Sequence, residues 1–245
     1  MAGFPIPYSL YRSFWCGLDL LFPPVCGGCG RSGSRWCDGC QRNVVSLAEP
    51  LCEVCGIQTD TPGLCADCQR ARPRFSALRS WSAFDAPVRP ALHRLKYRRD
   101  LGLGDALAAQ LSGFVAALKW PVDCIVPVPL GQKRLQERGY NQVALIARPL
   151  AMAMKIDFEA DALRRVRETR SQVGLTKLER RENVREAFQS KSKRVINRTI
   201  LLMDDVATTG STLSSCAEAL YAAGARDVFA LTVSRALKRH GLDSA

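Results

Sequence analysis

Over the last two thirds of the chain, short apolar runs alternate with stretches whose apolar residues recur at helical spacing. Ala77 to Phe84, Asp123 to Val128, Thr199 to Met203 and Val228 to Val233 are brief, largely apolar runs, as buried strands are. Between them, Pro90 to Leu95 and Leu103 to Leu118 read as helices, as does a segment near Tyr140 to Met154. Pro149 falls inside that last segment and is expected to kink or shorten it, because proline lacks the N–H that a helix interior needs. Leu213 to Leu220 reads as a further helix, stopped at Gly224. Strands separated by helices predict an α/β fold, with a mostly parallel sheet covered by helices on both faces.

The first third follows another rule. It is rich in glycine and poor in apolar runs, and eight of its cysteines form four Cys-x-x-Cys pairs within 43 residues. The pairs are Cys26/Cys29, Cys37/Cys40, Cys52/Cys55 and Cys65/Cys68. Two thiolates spaced this way grip one metal ion from a tight knuckle, and two knuckles complete a tetrahedral site. A segment this short of apolar residues needs such help to fold. Two structural zinc ions are expected, one on Cys26, Cys29, Cys37 and Cys40 and the other on Cys52, Cys55, Cys65 and Cys68. Spacing alone leaves open an interleaved pairing and an iron–sulfur cluster, while four pairs in a row argue against a redox dithiol. Cys16, Cys124 and Cys216 are left over as packed or free thiols. The polar stretch Gln69 to Arg74 reads as a linker, dividing the chain into residues 1–73 (a lead-in and a small double zinc ribbon) and 74–245 (the α/β domain).

At 245 residues and 47% hydrophobic content, the chain holds one ordinary α/β core plus a small appendage. No stretch approaches the roughly 18 apolar residues of a membrane span. Arg12 and Asp19 interrupt the partly apolar segment from Tyr8 to Pro24, and no signal-peptide cleavage site follows. A cytoplasmic location is expected. The net charge of +12 is uneven: residues 127–200 carry 17 Lys and Arg against 8 Asp and Glu, contributing +9 of it. That excess attracts polyanions such as a pyrophosphate or a nucleic acid.

The most informative run is Ile200 to Thr212, Ile-Leu-Leu-Met-Asp-Asp-Val-Ala-Thr-Thr-Gly-Ser-Thr. Here Asp204 and Asp205 follow a buried strand, at the end where open α/β sheets bind ligands. The small residues Ala207, Thr208, Thr209, Gly210, Ser211 and Thr212 then lead into a helix amino terminus, whose N–H groups and partial positive charge suit a phosphate. Carboxylates for neighbouring sugar hydroxyls beside a phosphate cradle suit a ribose 5-phosphate group. The run resembles, along its whole length, the 13-residue phosphoribosyl-pyrophosphate (PRPP) motif of type I phosphoribosyltransferases. A Walker B strand also ends in paired acids, but no Gly-x-x-x-x-Gly-Lys-Ser/Thr loop accompanies it.

Two other blocks suit anions. After Val128 comes Pro129-Leu130-Gly131-Gln132-Lys133-Arg134, continuing through Arg138 to Gln142; it is read as a loop whose cations face a diphosphate. The block from Leu163 to Phe188, with Thr169 to Leu175 and Arg180 to Asn183, has many cations and little apolar period, as a lid or a plain surface loop would.

Together with Leu92-His93-Arg94-Leu95-Lys96-Tyr97, Pro127 to Leu130, Arg138 to Gln142 and Asn183 to Phe188, these blocks resemble the ComF family of double-zinc, phosphoribosyltransferase-like proteins. That family includes competence proteins and the gluconate-associated GntX group. The resemblance covers almost the whole chain after about residue 18. It implies the type I phosphoribosyltransferase fold and binding of PRPP or a related phosphorylated sugar. Asp204 and Asp205 would hold the ribose hydroxyls, and Ala207 to Thr212 the 5-phosphate. Pro129, Leu130, Lys133, Arg134 and Arg138 would face the pyrophosphate with Mg²⁺. No side-chain nucleophile is implied, and His93 and His240 offer no compelling catalytic triad. Resemblance to competence proteins also suggests handling of single-stranded DNA in uptake. The basic window is compatible with that, but at 7% aromatic residues no stacking platform stands out. Nor does any segment read as an acceptor pocket.

Overall fold

The computed structural model describes residues 23–167 and 187–237, together with positions 10, 13, 17 and 19 of the lead-in. Thr169 to Leu175, Arg180 to Asn183 and His240 lie outside the described residues. The elements run α1 (Asp38–Arg42), α2 (Ala66–Arg70), β1 (Leu78–Ala83), α3 (Val88–Tyr97), α4 (Leu103–Leu118), β2 (Cys124–Pro127), α5 (Gln132–Arg138), α6 (Gln142–Met154), β3 (Asp157–Phe158), β4 (Arg164–Arg165), β5 (Phe188–Gln189), β6 (Thr199–Ala207), α7 (Ser211–Ala222) and β7 (Asp227–Arg235). Five strands form one sheet in the order β1-β7-β6-β2-β3, every pair parallel. β4 and β5 make a small antiparallel pair beside it. The mostly parallel α/β architecture is as the sequence implies.

Strand alternation divides the core between the two faces of this sheet. Ile200 and Leu202 point to one face and pack with Leu213, Cys216 and Leu220 of α7. Leu201 and Met203 point to the other and pack with Leu92, Leu107, Ile146 and Leu150 of α3, α4 and α6. The cysteine-rich segment straddles the β1 edge and contributes to both. Cys52, Val54 and Cys55 join the α7 side, while Cys26, Trp36 and Cys40 join the other. Backbone bonds from Leu78 N to Val54 O and from Ala83 N to Val45 O, both 2.7 Å, cap the exposed edge of β1. An uncapped edge would invite pairing with other chains.

Three elements depart from the sequence reading. α6 is not shortened at Pro149 and continues to Met154. The Leu145 carbonyl that proline leaves without an amide partner faces Gly104 of α4, where a Cβ would come within 2.5 Å of it. Close helix packing thus accommodates the proline. β6 does not stop at Met203 but continues through both aspartates to Ala207, because β7 stays paired with it, Asp204 opposite Thr232 and Ala207 opposite Arg235. The polar end of β7 is buried: Thr232 shares a 2.6 Å hydrogen bond with Ser80, and Ser82 donates to the Val233 carbonyl at 3.0 Å. The basic stretch after Val128 is not a loop but mostly the short helix α5, closed by Gly139 at φ +83°.

Candidate functional site

The cysteines gather into two sets, Cys26/29/37/40 and Cys52/55/65/68, with the ligand atoms of each set within 4.8 Å of one another. Sulfurs lie 3.5 Å apart for Cys26–Cys40, 3.7 Å for Cys29–Cys37 and 3.6 Å for Cys55–Cys65. Four thiolates about 2.3 Å from one tetrahedral zinc would be about 3.8 Å apart, so each donor set fits a single ion. Backbone amides support the sulfurs, among them Cys40 N to Cys37 Sγ at 3.4 Å and Cys65 N to Cys52 Sγ at 3.3 Å. The two sets are sequential, not interleaved. Cys124 and Cys216 are buried free thiols.

At the carboxyl end of β6 the two aspartates diverge, since neighbouring strand residues face opposite sides of the sheet. Asp205 is buried on the α3/α6 side, accepting from Lys96 Nζ at 2.7 Å and Gln142 Nε2 at 2.8 Å. Burial alone would raise its carboxyl; the Lys96 charge and the Lys96 and Gln142 hydrogen bonds outweigh that and hold it below the ordinary carboxylate range. Asp204 is half-buried and accepts the Asp205 backbone N–H at 2.8 Å. Burial, then the adjacent Asp205 charge, pushes its carboxyl up to about 7. One carboxylate is therefore committed to an ion pair, and the other sits poised near neutrality.

The chain next turns through Gly210 at φ +77°, a left-handed conformation that suits glycine. Gly210 is the N-cap of the 12-residue α7 and brings no side chain to that end. Thr208 and Thr209 are half-buried, and the Thr209 and Ser211 hydroxyls lie 2.8 Å apart. The Thr209 hydroxyl also accepts the Ser211 N–H at 3.3 Å. Hydroxyls and a helix-end dipole in this arrangement are chemically able to hold an anion.

Across from it, Pro129 and Leu130 are half-buried, Lys133 and Arg134 are exposed on α5, and Arg138 is half-buried. Arg138 hydrogen-bonds Gln142 Oε1, which links α5 to the Asp205 network. Asn141 anchors the start of α6, accepting from Val143 N at 3.0 Å and donating to Val128 O at 2.9 Å. Pro129 and Leu130 also border a cavity of about 620 Å³ shared with Arg164 and Arg165. The structure thus brings Asp205 and Arg138 into one network through Gln142.

Sequence reading assigned no role to Lys96, Tyr97 or Gln142. The available signal lay in α3, where Leu92 and Leu95 are buried while His93 and Tyr97 are exposed, leaving polar and aromatic groups at its end.

A double zinc ribbon domain model matches residues 17–69. The "DNA utilization protein YhgH" of Escherichia coli (strain K12) is 31% identical over 229 residues, covering 89% of this chain and 100% of that protein. "Competence protein F" of Haemophilus influenzae is 30% identical over 210 residues, 82% of this chain and 90% of its own. "Competence protein ComFC" of Bacillus subtilis (strain 168) is 28% identical over 230 residues, 90% of this chain and 89% of its own. Among known structures, glutamine PRPP amidotransferase from B. subtilis superposes at a TM-score of 0.35 and 21% identity, over 57% of this chain and 26% of that one. That likeness is too low to add to the fold described above. A double zinc ribbon on a parallel α/β sheet, with this identity to competence and DNA utilization proteins over nearly the whole chain, places the protein in the ComF family.

Proposed function

We propose that the protein binds PRPP, or a related ribose 5-phosphate compound, at the carboxyl edge of β2 and β6, in the service of DNA uptake or utilization. The observation that carries this reading is the Asp204–Asp205 pair, followed at once by the Gly210 turn into the α7 amino terminus. In this reading Ala207, Thr208, Thr209, Gly210, Ser211 and Thr212 hold the 5-phosphate. Asp204 accepts from a ribose hydroxyl, and Asp205 joins it by loosening its ion pair with Lys96. Pro129, Leu130, Lys133, Arg134 and Arg138 face the pyrophosphate.

Mg²⁺ commonly keeps waters and substrate phosphate oxygens as ligands. The site fits a metal carried in on the diphosphate: among the described residues, the groups of three or more metal-binding side chains are the two cysteine sets. Bound there, Mg²⁺ would supply charge neutralisation of the leaving group. The chain's own contribution is positioning and electrostatics, with its cations around the departing pyrophosphate and the carboxylates near a C1 that gains positive character. The test is calorimetric titration of zinc-loaded protein with PRPP and Mg²⁺. Micromolar to millimolar binding, abolished by Asp204→Asn, is expected; no binding, or unchanged affinity in the variant, rejects the site.

A second reading, binding of single-stranded DNA, is supported by relatives named for DNA utilization and competence and by the +9 window. It requires affinity for an oligonucleotide that falls steeply with salt and weakens in Arg134→Ala/Arg138→Ala.

A further inference from the structure

Between the first cysteine knuckle and α3 lies a groove of about 610 Å³, bordered by Gly28, Phe84, Arg89, His93, Lys96 and Tyr97 among others. Its size falls within the roughly 300–1,000 Å³ of small-molecule sites. A second hollow of about 260 Å³ shares Lys96 and Tyr97 with it and adds Arg134 and Arg138 of α5. Lys96 is therefore common to both spaces, and its ammonium is 2.7 Å from Asp205. Through Lys96 the larger groove thus adjoins Asp205, one of the two carboxylates proposed to hold the sugar.

The lining has a definite chemistry. Tyr97, the last residue of α3, is 66% exposed. Its ring lies 4.7 Å from the His93 ring, and the Arg138 guanidinium stands 5.4 Å from its centroid. Arg89 stands 5.6 Å from the Phe84 ring centroid. These are flat π faces interleaved with cations. No carboxylate lines the groove among the described residues, and Arg94 is already neutralised by Asp100 at 3.0 Å. Lys96 is likewise paired with Asp205 at 2.7 Å, so it is Arg89 and Arg98 that leave the lining positive. The opposite wall is backbone-thin: a Cβ on Gly28 would lie 2.7 Å from both Pro87 Cβ and Cys40 Sγ. The ribbon could not approach α3 this closely with a side chain there.

We propose that this groove is the acceptor site, and that it takes a planar, anionic heteroaromatic ring. The proposal rests on the ribose 5-phosphate reading above. From α7 the order is phosphate cradle, paired carboxylates, Lys96, groove, which matches the order 5-phosphate, ribose diol, C1 substituent along a nucleotide. In the forward direction the lone pair of a ring nitrogen forms the C1–N bond as the C1–O bond to pyrophosphate breaks. Pyrophosphate leaves with the C1–O electron pair, and the N–H proton of the ring passes to the departing pyrophosphate or to water. The ring keeps the anionic substituent that the positive lining would recognise. The zinc ribbon, in this view, is one wall of the active site.

The experiment compares three product-like probes by calorimetry on the zinc-loaded chain: ribose 5-phosphate, uridine 5′-monophosphate with a neutral ring, and orotidine 5′-monophosphate with an anionic one. Orotidine 5′-monophosphate should bind about ten-fold or more tightly than ribose 5-phosphate, the size expected of one stacked ring, with uridine 5′-monophosphate between them. His93→Ala/Tyr97→Ala should reduce both nucleotides to the ribose 5-phosphate level and leave ribose 5-phosphate itself unchanged. Arg89→Ala should narrow the gap between the two nucleotides. All three side chains stand on α3 outside the buried core, and an unaltered melting temperature would show that folding is intact. Equal affinity for all three probes overturns the acceptor assignment while the ribose site stands. Failure of all three to bind rejects the ribose site and the groove assignment with it. Oligothymidylate binding that needs Tyr97, without discrimination among the small probes, would make the groove a polynucleotide track and overturn the assignment.

Discussion

The cysteine-rich segment and the sheet it abuts reach a folded state by different means. Around the sheet the core is built mainly on large aliphatic side chains, Leu107, Leu111, Ile125, Ile146, Leu150, Ile200 and Leu201 all at 0% exposure. In residues 23–72 the buried apolar set is Cys26, Trp36, Cys40, Cys52, Val54, Cys55 and Cys68, and five of these seven are metal ligands. One region is held by area removed from water, the other by the bonds its thiolates make. Yet the ribbon caps β1 and feeds both core clusters, so a failure in the metal-built region should reach the apolar one through that edge.

Removing the metal is the strongest way to break this contrast. Structural zinc contributes on the order of 10 kcal/mol to the folding of small ribbons. The protein should contain two zinc per chain. Chelation should melt residues 23–72 first and expose the β1 amides, read by hydrogen exchange, while β2 and β6 stay protected. An apo protein that exchanges like the holo protein would mean that burial alone holds the ribbon.

A smaller effect tests the seam. Gly56 has φ +65°, and a Cβ there would lie 2.4 Å from the Leu78 carbonyl oxygen. Gly56→Ala should cost about 2–4 kcal/mol in urea unfolding of the zinc-loaded protein, because strain and clash add. Gly30 also has positive φ, +79°, but open space around it, so Gly30→Ala should cost only about 1 kcal/mol. Equal costs would show that the ribbon yields at the seam.

The same two regions were unequally legible in the sequence. The ribbon could be read almost completely, because metal ligation imposes a spacing on the residues themselves. Burial imposes only a period, so strands and helices were legible while their ends were not. β6 outruns its apolar stretch because Thr232 and Ser234, polar but buried, keep β7 alongside it. α5 has no buried residue and so no apolar period to betray it; the glycines that bound it, Gly131 and Gly139, read equally well as loop. In the site, the adjacent aspartates looked alike, and their difference comes from α3 and α6. Lys96 and Gln142 lie 109 and 63 residues from Asp205, and no local pattern links them.

Within the apolar region, its carboxyl edge is the exception. Lys96→Met would leave the buried Asp205 carboxylate, among the described residues, with the Gln142 amide as its remaining side-chain partner. Breaking a fully buried pair costs about 3–5 kcal/mol, but Lys96 is 23% exposed, so about 1–2 kcal/mol is expected at pH 7. Asp205 has a depressed folded pKa, so the stability it contributes is present above the ordinary carboxylate pKa of about 4 and is lost as pH falls below it. The penalty for Lys96→Met should therefore shrink in acid. A penalty independent of pH would assign Lys96 a packing role only.

Asp204 should behave in the opposite sense, with the smallest effect. Its carboxyl is pushed up to about 7, well above its unfolded value near 4. The fold thus favours the protonated form: that contribution is fully present below about pH 4 and is lost as pH rises through about 7. Asparagine resembles the protonated acid, so Asp204→Asn should change the melting temperature little at pH 4.5 and raise it by a few degrees, about 2–4 °C, at pH 8. A sugar hydroxyl donates best to the ionised form. Ribose 5-phosphate should then bind the native chain more tightly as pH rises from 6 to 8, beyond the ligand's own titration, and that excess should vanish in Asp204→Asn. A variant that is less stable than the native chain at pH 8 would mean that the fold welcomes the charge. A stability gain together with lost binding would mark Asp204 as a charge kept for its ligand at the fold's expense.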